Sequence, residues 1–260
     1  MRNIAIPIVF SLILVLASFV PAGKTRNTIN KIVIDPGHGG KDPGTSGSIS
    51  KEKDLALSIS KHLGRILKEE LPDVEILFTR DDDSFPTLQE RSDFANREGA
   101  DLFISVHCNW ISNPRIYGSE TYVMGLHKTD ANFAIAKREN AVILQEENYE
   151  ENYDGFDPNS PESYIFLTLQ QSAYQESSLK LATSIEQQLG TRAGRKSRGV
   201  KSAGFIVLYK TTMPSVLVET GYLSNSKEEI DLNDDLKQRY IASGIFRAIR
   251  DYKNEVESTN

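Results

Sequence analysis

Residues 31–47 read KIVIDPGHGGKDPGTSG, an apolar run followed by a turn rich in glycine and proline. The β-branched residues at 32–34 predict a buried strand, and Pro36-Gly37 ends it. Similar apolar runs predict further strands at 74–79 (VEILFT), 102–106 (LFISV) and 216–218 (VLV). We also expect strands at 119–124 and at 204–208.

Stretches with helical spacing separate these strands. Within 50–70, leucine and isoleucine recur at positions 55, 59, 63, 66 and 67, which is the spacing of one helix face. Further helices are predicted at 88–99, from Ser160 to about Leu189, and at 235–252. The alternation predicts a single α/β domain with a twisted, mostly parallel or mixed sheet and helices on both faces.

Composition narrows the functional classes. The chain has 260 residues, 39% hydrophobic and 25% charged, which excludes a largely disordered protein. A net charge of −6 and a pI near 5.4 exclude broad electrostatic binding to nucleic acid, so no nucleic-acid partner is expected. The lone Cys108 excludes an intramolecular disulfide.

The first residues have the three-part pattern of an export signal. Arg2 precedes an apolar run from Ile4 to Val20, and small residues follow it. We predict a signal peptide at 1–22, a linker at 23–30, a catalytic domain at 31–253 and a polar tail at 254–260. The protein is then exported to the periplasm or cell envelope, with no stable membrane anchor after cleavage. The alternative is an uncleaved anchor.

Three residues at the ends of predicted elements have the side chains of a zinc site. His38 follows the first strand, His107 ends the third, and Glu52 begins the first helix on its core-facing side. Each has an ordinary alternative: a loop histidine, a core histidine, and a carboxylate favoured by the helix dipole. Together, two imidazoles and one carboxylate are a ligand set for catalytic Zn²⁺.

Glu219 ends the apolar run 216–218, where a charge is costly without a partner. The ordinary explanation is a core salt bridge. Beside a zinc ion, Glu219 would be the general base toward water and then the general acid. Cys108 is an alternative zinc ligand, but strand alternation points it away from His107, which favours a small buried hydrophobe.

Six motifs in series carry a resemblance to a known family: VIDPGHGGKDPGTSG (33–47), KEKDLALSISKHL (51–63), TRDDD (79–83), ERSDFAN (90–96), SVHCN (105–109) and PSVLVETGYLSN (214–225). They resemble the zinc-dependent N-acetylmuramoyl-L-alanine amidases of bacterial cell-wall metabolism. The resemblance implies zinc held by His38, Glu52 and His107, with Glu219 as catalytic acid and base. It also implies the substrate, which is the amide between N-acetylmuramic acid and L-alanine in peptidoglycan.

Region 128–190 is similar to the regulatory insertion of the division-associated amidases, in which a helix covers the site until an activator protein displaces it. Residues 145–162 carry seven acids and no Lys or Arg. We therefore predict that one of these acidic residues blocks the open position of the zinc: Glu146, Glu147, Glu150 or Glu151. The alternative is a solvated acidic loop.

Several other polar residues are candidates for lesser roles. Asp35, Arg80 and Asn109 are candidates to position the metal ligands or to contact substrate. For Asp35 a plain turn role is the alternative, and for Arg80 a structural ion pair. The basic residues at 192, 195, 196 and 198 form either a solvated turn or a surface that attracts the anionic cell wall.

Two rival functions remain. One is another zinc hydrolase of peptidoglycan, a peptidase or a deacetylase. The other is a non-catalytic wall-binding regulator on a degenerate enzyme fold. Such a regulator would usually have lost a ligand or the base, whereas all four residues of the predicted site are present.

Overall fold

The structure is a computed structural model that describes residues 28–169 and 173–258. The predicted signal peptide and most of the linker lie outside the described residues. No helix in those two ranges combines the length and the apolar character that crossing a bilayer requires. The first half of the domain contains β1 (Lys31–Pro36), α1 (Glu52–Glu70), β2 (Glu75–Phe78), α2 (Leu88–Arg97), β3 (Leu102–Asn109) and β4 (Ser119–Met124).

The second half is richer in helix. Its elements are α3 (Asp130–Asn140), a 3-10 turn (Ala141–Gln145), α4 (Tyr149–Asn152), α5 (Pro161–Leu169), α6 (Gln175–Ala193), β5 (Ser197–Ala203), α7 (Ile206–Tyr209), β6 (Ser215–Tyr222), α8 (Ser226–Asn233) and α9 (Asp235–Ser258).

The six strands form one mixed sheet in the order β2-β1-β3-β6-β4-β5. All neighbouring pairs are parallel except β4 with β6, which run antiparallel. Alternate strand residues divide between two hydrophobic layers, with Ile32 and Ile34 on one face and Val33 on the other. Helices α1, α6 and α9 cover the first face, and α2, α3, α5 and α7 cover the second. The predicted α/β architecture is confirmed.

Several predicted boundaries were wrong. Residues 204 and 205 lie outside the helices and strands, and 206–208 belong to α7. The strand that pairs in parallel with β4 is β5, one element earlier in the chain. The single helix predicted from Ser160 to about Leu189 is two helices, and the second, α6, packs in the same hydrophobic layer as α9. Ile29 of the predicted linker is buried in that core, and α9 continues through the predicted tail to Ser258.

The topology places the predicted site residues at one edge of the sheet. The parallel strands β1, β3 and β6 all end at the same edge, where ligands bind in open α/β sheets. The register pairs His107 of β3 with Glu219 of β6. The turn after β1 brings His38 to this edge, and α1 begins there with Glu52.

Candidate active site

Four buried residues converge at the end of the sheet: His38, Glu52, His107 and Glu139. One donor atom from each lies within 4.8 Å of all the others. The Nε2 atom of His38 is 3.1 Å from Glu52 Oε1 and 3.2 Å from Glu139 Oε2. The Nδ1 atom of His107 is 3.1 Å and 3.5 Å from the same two oxygens.

The turn after β1 fixes the position of His38. Its backbone has φ of +60°, a left-handed conformation that non-glycine residues rarely adopt. The Asp42 carboxylate is 2.7 Å from Nδ1 of His38, so Nε2 is the ring nitrogen that points at the cluster. A Cβ atom on Gly37 would lie 2.4 Å from the His107 ring, so only glycine allows this turn to pass so close to the second imidazole.

Glu52 is held on both carboxylate oxygens. Its Oε2 accepts hydrogen bonds from the backbone N–H and the hydroxyl of Thr45, at 2.8 and 2.9 Å. Its Oε1 accepts from the backbone N–H of Cys108 at 2.9 Å. This fully buried carboxylate therefore has a fixed orientation toward the two imidazoles.

The electrostatics of the cluster favour a cation. Burial lowers the pKa of His38, but Glu52 and other nearby carboxylates outweigh it and raise that pKa well above its usual value. Burial also lowers the pKa of His107, but Glu139 and Glu52 outweigh it and raise that pKa to about 9. Two buried carboxylates thus hold protons on two buried imidazoles, and a divalent cation can replace those protons.

The donor set fits a zinc ion. Among the described residues, His38 Nε2 and Glu139 Oε2 are buried atoms with no hydrogen-bond partner. Tetrahedral zinc with ligand bonds of about 2.0–2.2 Å separates its ligand atoms by roughly 3.3–3.6 Å. The four His–Glu separations are 3.1, 3.2, 3.1 and 3.5 Å, so one falls within that range and three are 0.1–0.2 Å shorter than its lower end.

Glu219 lies next to this cluster on β6 and is fully buried. Within the described ranges, neither of its carboxylate oxygens has a hydrogen-bond partner. Burial, followed by the charges of Glu52 and Glu139, raises the pKa of Glu219 well above its usual value. The core salt bridge considered from the sequence is not formed. A carboxyl group with a raised pKa beside a metal-ligand set is suited to proton transfer.

The fourth member of the cluster, Glu139, was not among the predicted acidic residues. It lies on the buried side of α3, and its Oε1 accepts hydrogen bonds from Arg138 Nε and Nη2 at 3.1 and 2.9 Å. Arg138 in turn donates to the Asn109 side chain at 3.0 Å and to the Trp110 carbonyl at 2.8 Å. Helix α3 is thereby attached to the loop that follows β3.

The acidic residues predicted to block the site lie elsewhere. Glu146 accepts a 2.8 Å hydrogen bond from the Tyr153 hydroxyl, and Glu147, Glu150 and Glu151 are exposed. The acidic residue that enters the cluster comes from the helix before this stretch. The signal in the sequence was the spacing of α3, because Glu139 continues the buried positions 132, 135 and 136.

The three lesser candidates have structural contacts. Asp35 forms a buried ion pair with Arg91 at 2.8 Å and does not touch His38, so the residue that orients His38 is Asp42. Arg80 donates to four backbone carbonyls, among them Pro36 and Gly37. Asn109 donates to Glu120 at 2.7 Å and accepts from Arg138.

Cys108 is fully buried, and its sulfur lies 3.3 Å from the Thr220 hydroxyl. Burial, together with the nearby Glu52 charge, raises the pKa of the thiol well above its usual value. The side chain belongs to the hydrophobic layer under α1 and α9. This placement agrees with the expectation of a small buried hydrophobe.

Comparison with known proteins gives the same family as the sequence motifs. Residues 32–251 match the family model described as N-acetylmuramoyl-L-alanine amidase. The amidase AmiA of Escherichia coli K12 is 32% identical over 236 residues, which span 89% of this chain and 79% of AmiA.

Solved structures also match. The catalytic domain of CwlV, an N-acetylmuramoyl-L-alanine amidase from Paenibacillus polymyxa, aligns with a TM-score of 0.64 and 29% identity over 86% of this chain and 98% of that domain. The CwlD amidase of Clostridioides difficile, solved in complex with the GerS lipoprotein, has a TM-score of 0.65 at 24% identity, covering 88% of this chain and 100% of CwlD, and shows the shared fold. The chain belongs to the N-acetylmuramoyl-L-alanine amidase family.

Proposed function

We propose that this amidase is zinc-dependent and that it hydrolyses the amide between N-acetylmuramic acid and L-alanine in peptidoglycan. The observation that carries the zinc assignment is the cluster of four buried residues with metal-ligating side chains. Two of their converging atoms, His38 Nε2 and Glu139 Oε2, have no hydrogen-bond partner among the described residues. His38, Glu52 and His107 would hold the ion. A zinc ion held there would supply Lewis-acid chemistry, polarising the scissile carbonyl and lowering the pKa of a water molecule.

The protein side chains supply orientation and proton transfer. Glu219 takes the proton of the attacking water and then delivers it to the departing alanine nitrogen, without which the amine is a poor leaving group. The raised pKa of Glu219 suits both halves of this cycle. Asp42 accepts the Nδ1–H of His38 and so keeps the opposite nitrogen available for the metal.

We propose that Glu139 occupies the position that substrate needs. A catalytic zinc site keeps one coordination position open, and three protein ligands are enough to hold the ion. Glu139 is the fourth donor, and it comes from a helix that packs on the strand frame rather than from the frame itself. Substrate can bind only when α3 moves, which describes an autoinhibited enzyme. A partner protein that displaces α3 would activate it.

We also propose that the protein is exported and acts on the cell wall, in remodelling or in daughter-cell separation. The signal-like pattern of residues 1–22 supports export. The CwlD amidase, which shares the fold, was solved with a lipoprotein bound. Control of this protein by an envelope partner fits that precedent.

Zinc content and digestion products test the proposed reaction together. We expect about one zinc ion per chain, and digestion of peptidoglycan should release intact stem peptides with a free L-alanine amine. Glu219→Gln should keep the zinc and lose turnover. Cleavage inside the stem peptide would indicate a peptidase, loss of acetyl groups would indicate a deacetylase, and stable zinc-free activity would contradict the zinc assignment.

Glu139→Ala tests the proposed block. The variant should hydrolyse peptidoglycan faster than the parent without any partner, and it should bind zinc more weakly because one donor is lost. Glu147→Ala is the matched control, because Glu147 is exposed and lies outside the cluster. Unchanged basal hydrolysis in a folded Glu139→Ala protein would contradict autoinhibition by this residue.

A further inference from the structure

A basic groove opens at the same edge of the sheet as the metal-ligand cluster. Its volume is about 630 Å³. Its lining includes six charged residues: Arg115, Arg195, Lys196, Lys227, Glu228 and Asp231. Four of these residues are basic and two are acidic, in a protein whose net charge is −6. The groove is therefore a local reversal of the overall charge.

The loops that build the groove follow the strands that build the site. The loop after β3 and the loop after β6 are joined by two hydrogen bonds. The Ile111 N–H donates to the Ser224 hydroxyl at 3.2 Å, and the Asn225 side chain donates to the Pro114 carbonyl at 2.9 Å. These loops directly continue the strands that carry His107 and Glu219.

One basic residue makes the groove rigid, and three others remain available to a ligand. The Arg195 side chain is 8% exposed and pairs with Glu228 at 2.6 Å, and Glu228 also accepts hydrogen bonds from the backbone N–H groups of Gly118 and Tyr222. The acidic charge of Glu228 is thus neutralised internally. By contrast, the basic residues Arg115, Lys196 and Lys227 are exposed.

Tyr117 adds an exposed aromatic surface beside these charges. The ring is 46% exposed, and the Lys196 ammonium lies 4.9 Å from its centroid. An arginine, two lysines and an aromatic ring that line one groove are suited to bind a carboxylate on a chain with apolar parts.

The position of the groove matches the reach of a peptide. The groove includes Lys196, which precedes β5, and β5 is two strands away from β6. Adjacent strands are about 4.8 Å apart, so the groove lies roughly 10 Å along the sheet edge from Glu219. An extended peptide covers this distance in about three residues, at about 3.3–3.6 Å per residue.

We infer that the basic groove is a substrate subsite that binds a carboxylate of the stem peptide while the amide at its first residue lies at the metal-ligand cluster. This inference rests on the proposed function, because it takes the stem peptide as substrate. The groove would select peptidoglycan whose stem carboxylates are free over peptidoglycan in which they are amidated.

The test uses the full chain carrying Glu139→Ala with Glu219→Gln, so that the proposed block is removed and bound substrate is not consumed. Its binding to insoluble peptidoglycan is measured by co-sedimentation, before and after the carboxylates are converted to carboxamides. We expect amidation to weaken binding roughly tenfold, since two to three exposed charge pairs contribute modestly each. The charge reversal Arg115→Glu with Lys227→Glu should weaken binding to untreated peptidoglycan by a similar factor and should make binding insensitive to amidation. Lys61→Glu with Arg65→Glu, on exposed positions of α1, is the matched control and should bind like the parent.

Two outcomes would overturn the subsite. One is a charge-reversed protein that still discriminates free from amidated carboxylates. The other is a loss of binding on charge reversal that is equally large for both forms of peptidoglycan, which would point to a different anionic partner. If charge reversal disturbs folding, as judged by the thermal midpoint, the milder Lys196→Gln should still reduce discrimination. Failure of the proposed function is seen separately, as the absence of released stem peptides with the Glu139→Ala protein, in which Glu219 is intact.

Discussion

Replacing Arg91 with methionine tests whether a buried arginine organises the turn that carries His38. Arg91 is 1% exposed, and its guanidinium pairs with Asp35 at 2.8 Å. It also donates to the carbonyl oxygens of Pro36 at 2.8 Å and His38 at 2.7 Å. The side chain therefore joins α2 to the end of β1 and to the left-handed residue that follows.

The loss of unfolding free energy in Arg91→Met comes from leaving Asp35 buried without its partner. Removing one member of a buried ion pair costs about 3–5 kcal/mol. For a domain of this size, that loss corresponds to a fall of roughly 6–20 °C in the thermal midpoint. Because the His38 carbonyl loses its donor, zinc affinity should also fall, by about 10- to 100-fold.

The assay is thermal unfolding together with zinc competition against a chelator. Arg97→Met, on an exposed position of the same helix, is the control and should change the midpoint little. The double variant Asp35→Asn with Arg91→Met should recover part of the loss, because no uncompensated charge remains buried. A single Arg91→Met variant as stable as the Arg97→Met control would refute the reasoning. Strict additivity in the double variant would refute the role of the pair.

Three further predictions use the same protein. Asp42→Asn should weaken zinc binding about 10- to 100-fold in a chelator competition. Asp54→Asn, on the exposed first turn of α1, is the control and should leave zinc binding unchanged. Equal effects of the two substitutions would contradict the orienting role of Asp42. Cys108→Ala should keep one zinc per chain, and a lost zinc would show that the sulfur is a ligand. The destabilisation by Arg91→Met should be largest near neutral pH and should shrink in acid. Burial raises the pKa of Asp35, but Arg91 and hydroxyl donors outweigh burial and hold that pKa below its usual value. The stabilisation of the folded protein by the charged Asp35 is therefore present above about pH 4 and is lost as pH falls through the folded-state pKa. An effect of constant size from pH 7 into acid would contradict this.

The positions of polar residues at the ends of predicted strands were sufficient to predict most of the candidate site. His38, His107 and Glu219 each follow or end an apolar run, and parallel strands place such positions at one edge of a sheet. Glu52 was recognisable because a carboxylate continued the apolar face of a helix. The structure gathers all four at that edge.

Other features depended on information that local patterns do not carry. Glu139 continues the buried face of α3, as Glu52 continues the buried face of α1. The blocking residue was instead predicted within 146–151, because that stretch is rich in acidic residues. Strand β5 reads SRGVKSA, which is poor in apolar residues because an edge strand has one free side and tolerates charge. Because a polar stretch of this kind is typical of a turn, the strand was predicted at 204–208 instead of at β5.

The origin of the four donors has a thermodynamic consequence. Three come from the strand frame and its first helix, whereas Glu139 comes from a segment that packs against them. Under the proposed zinc site and block, binding of the ion and docking of α3 would be coupled. The coupling would be reciprocal: a partner that displaces α3 would weaken ion binding by the same factor by which the bound ion opposes that displacement. If the protein is exported as proposed, scarcity of zinc in the envelope would favour release of α3 and would also deprive the released enzyme of the metal proposed for its reaction.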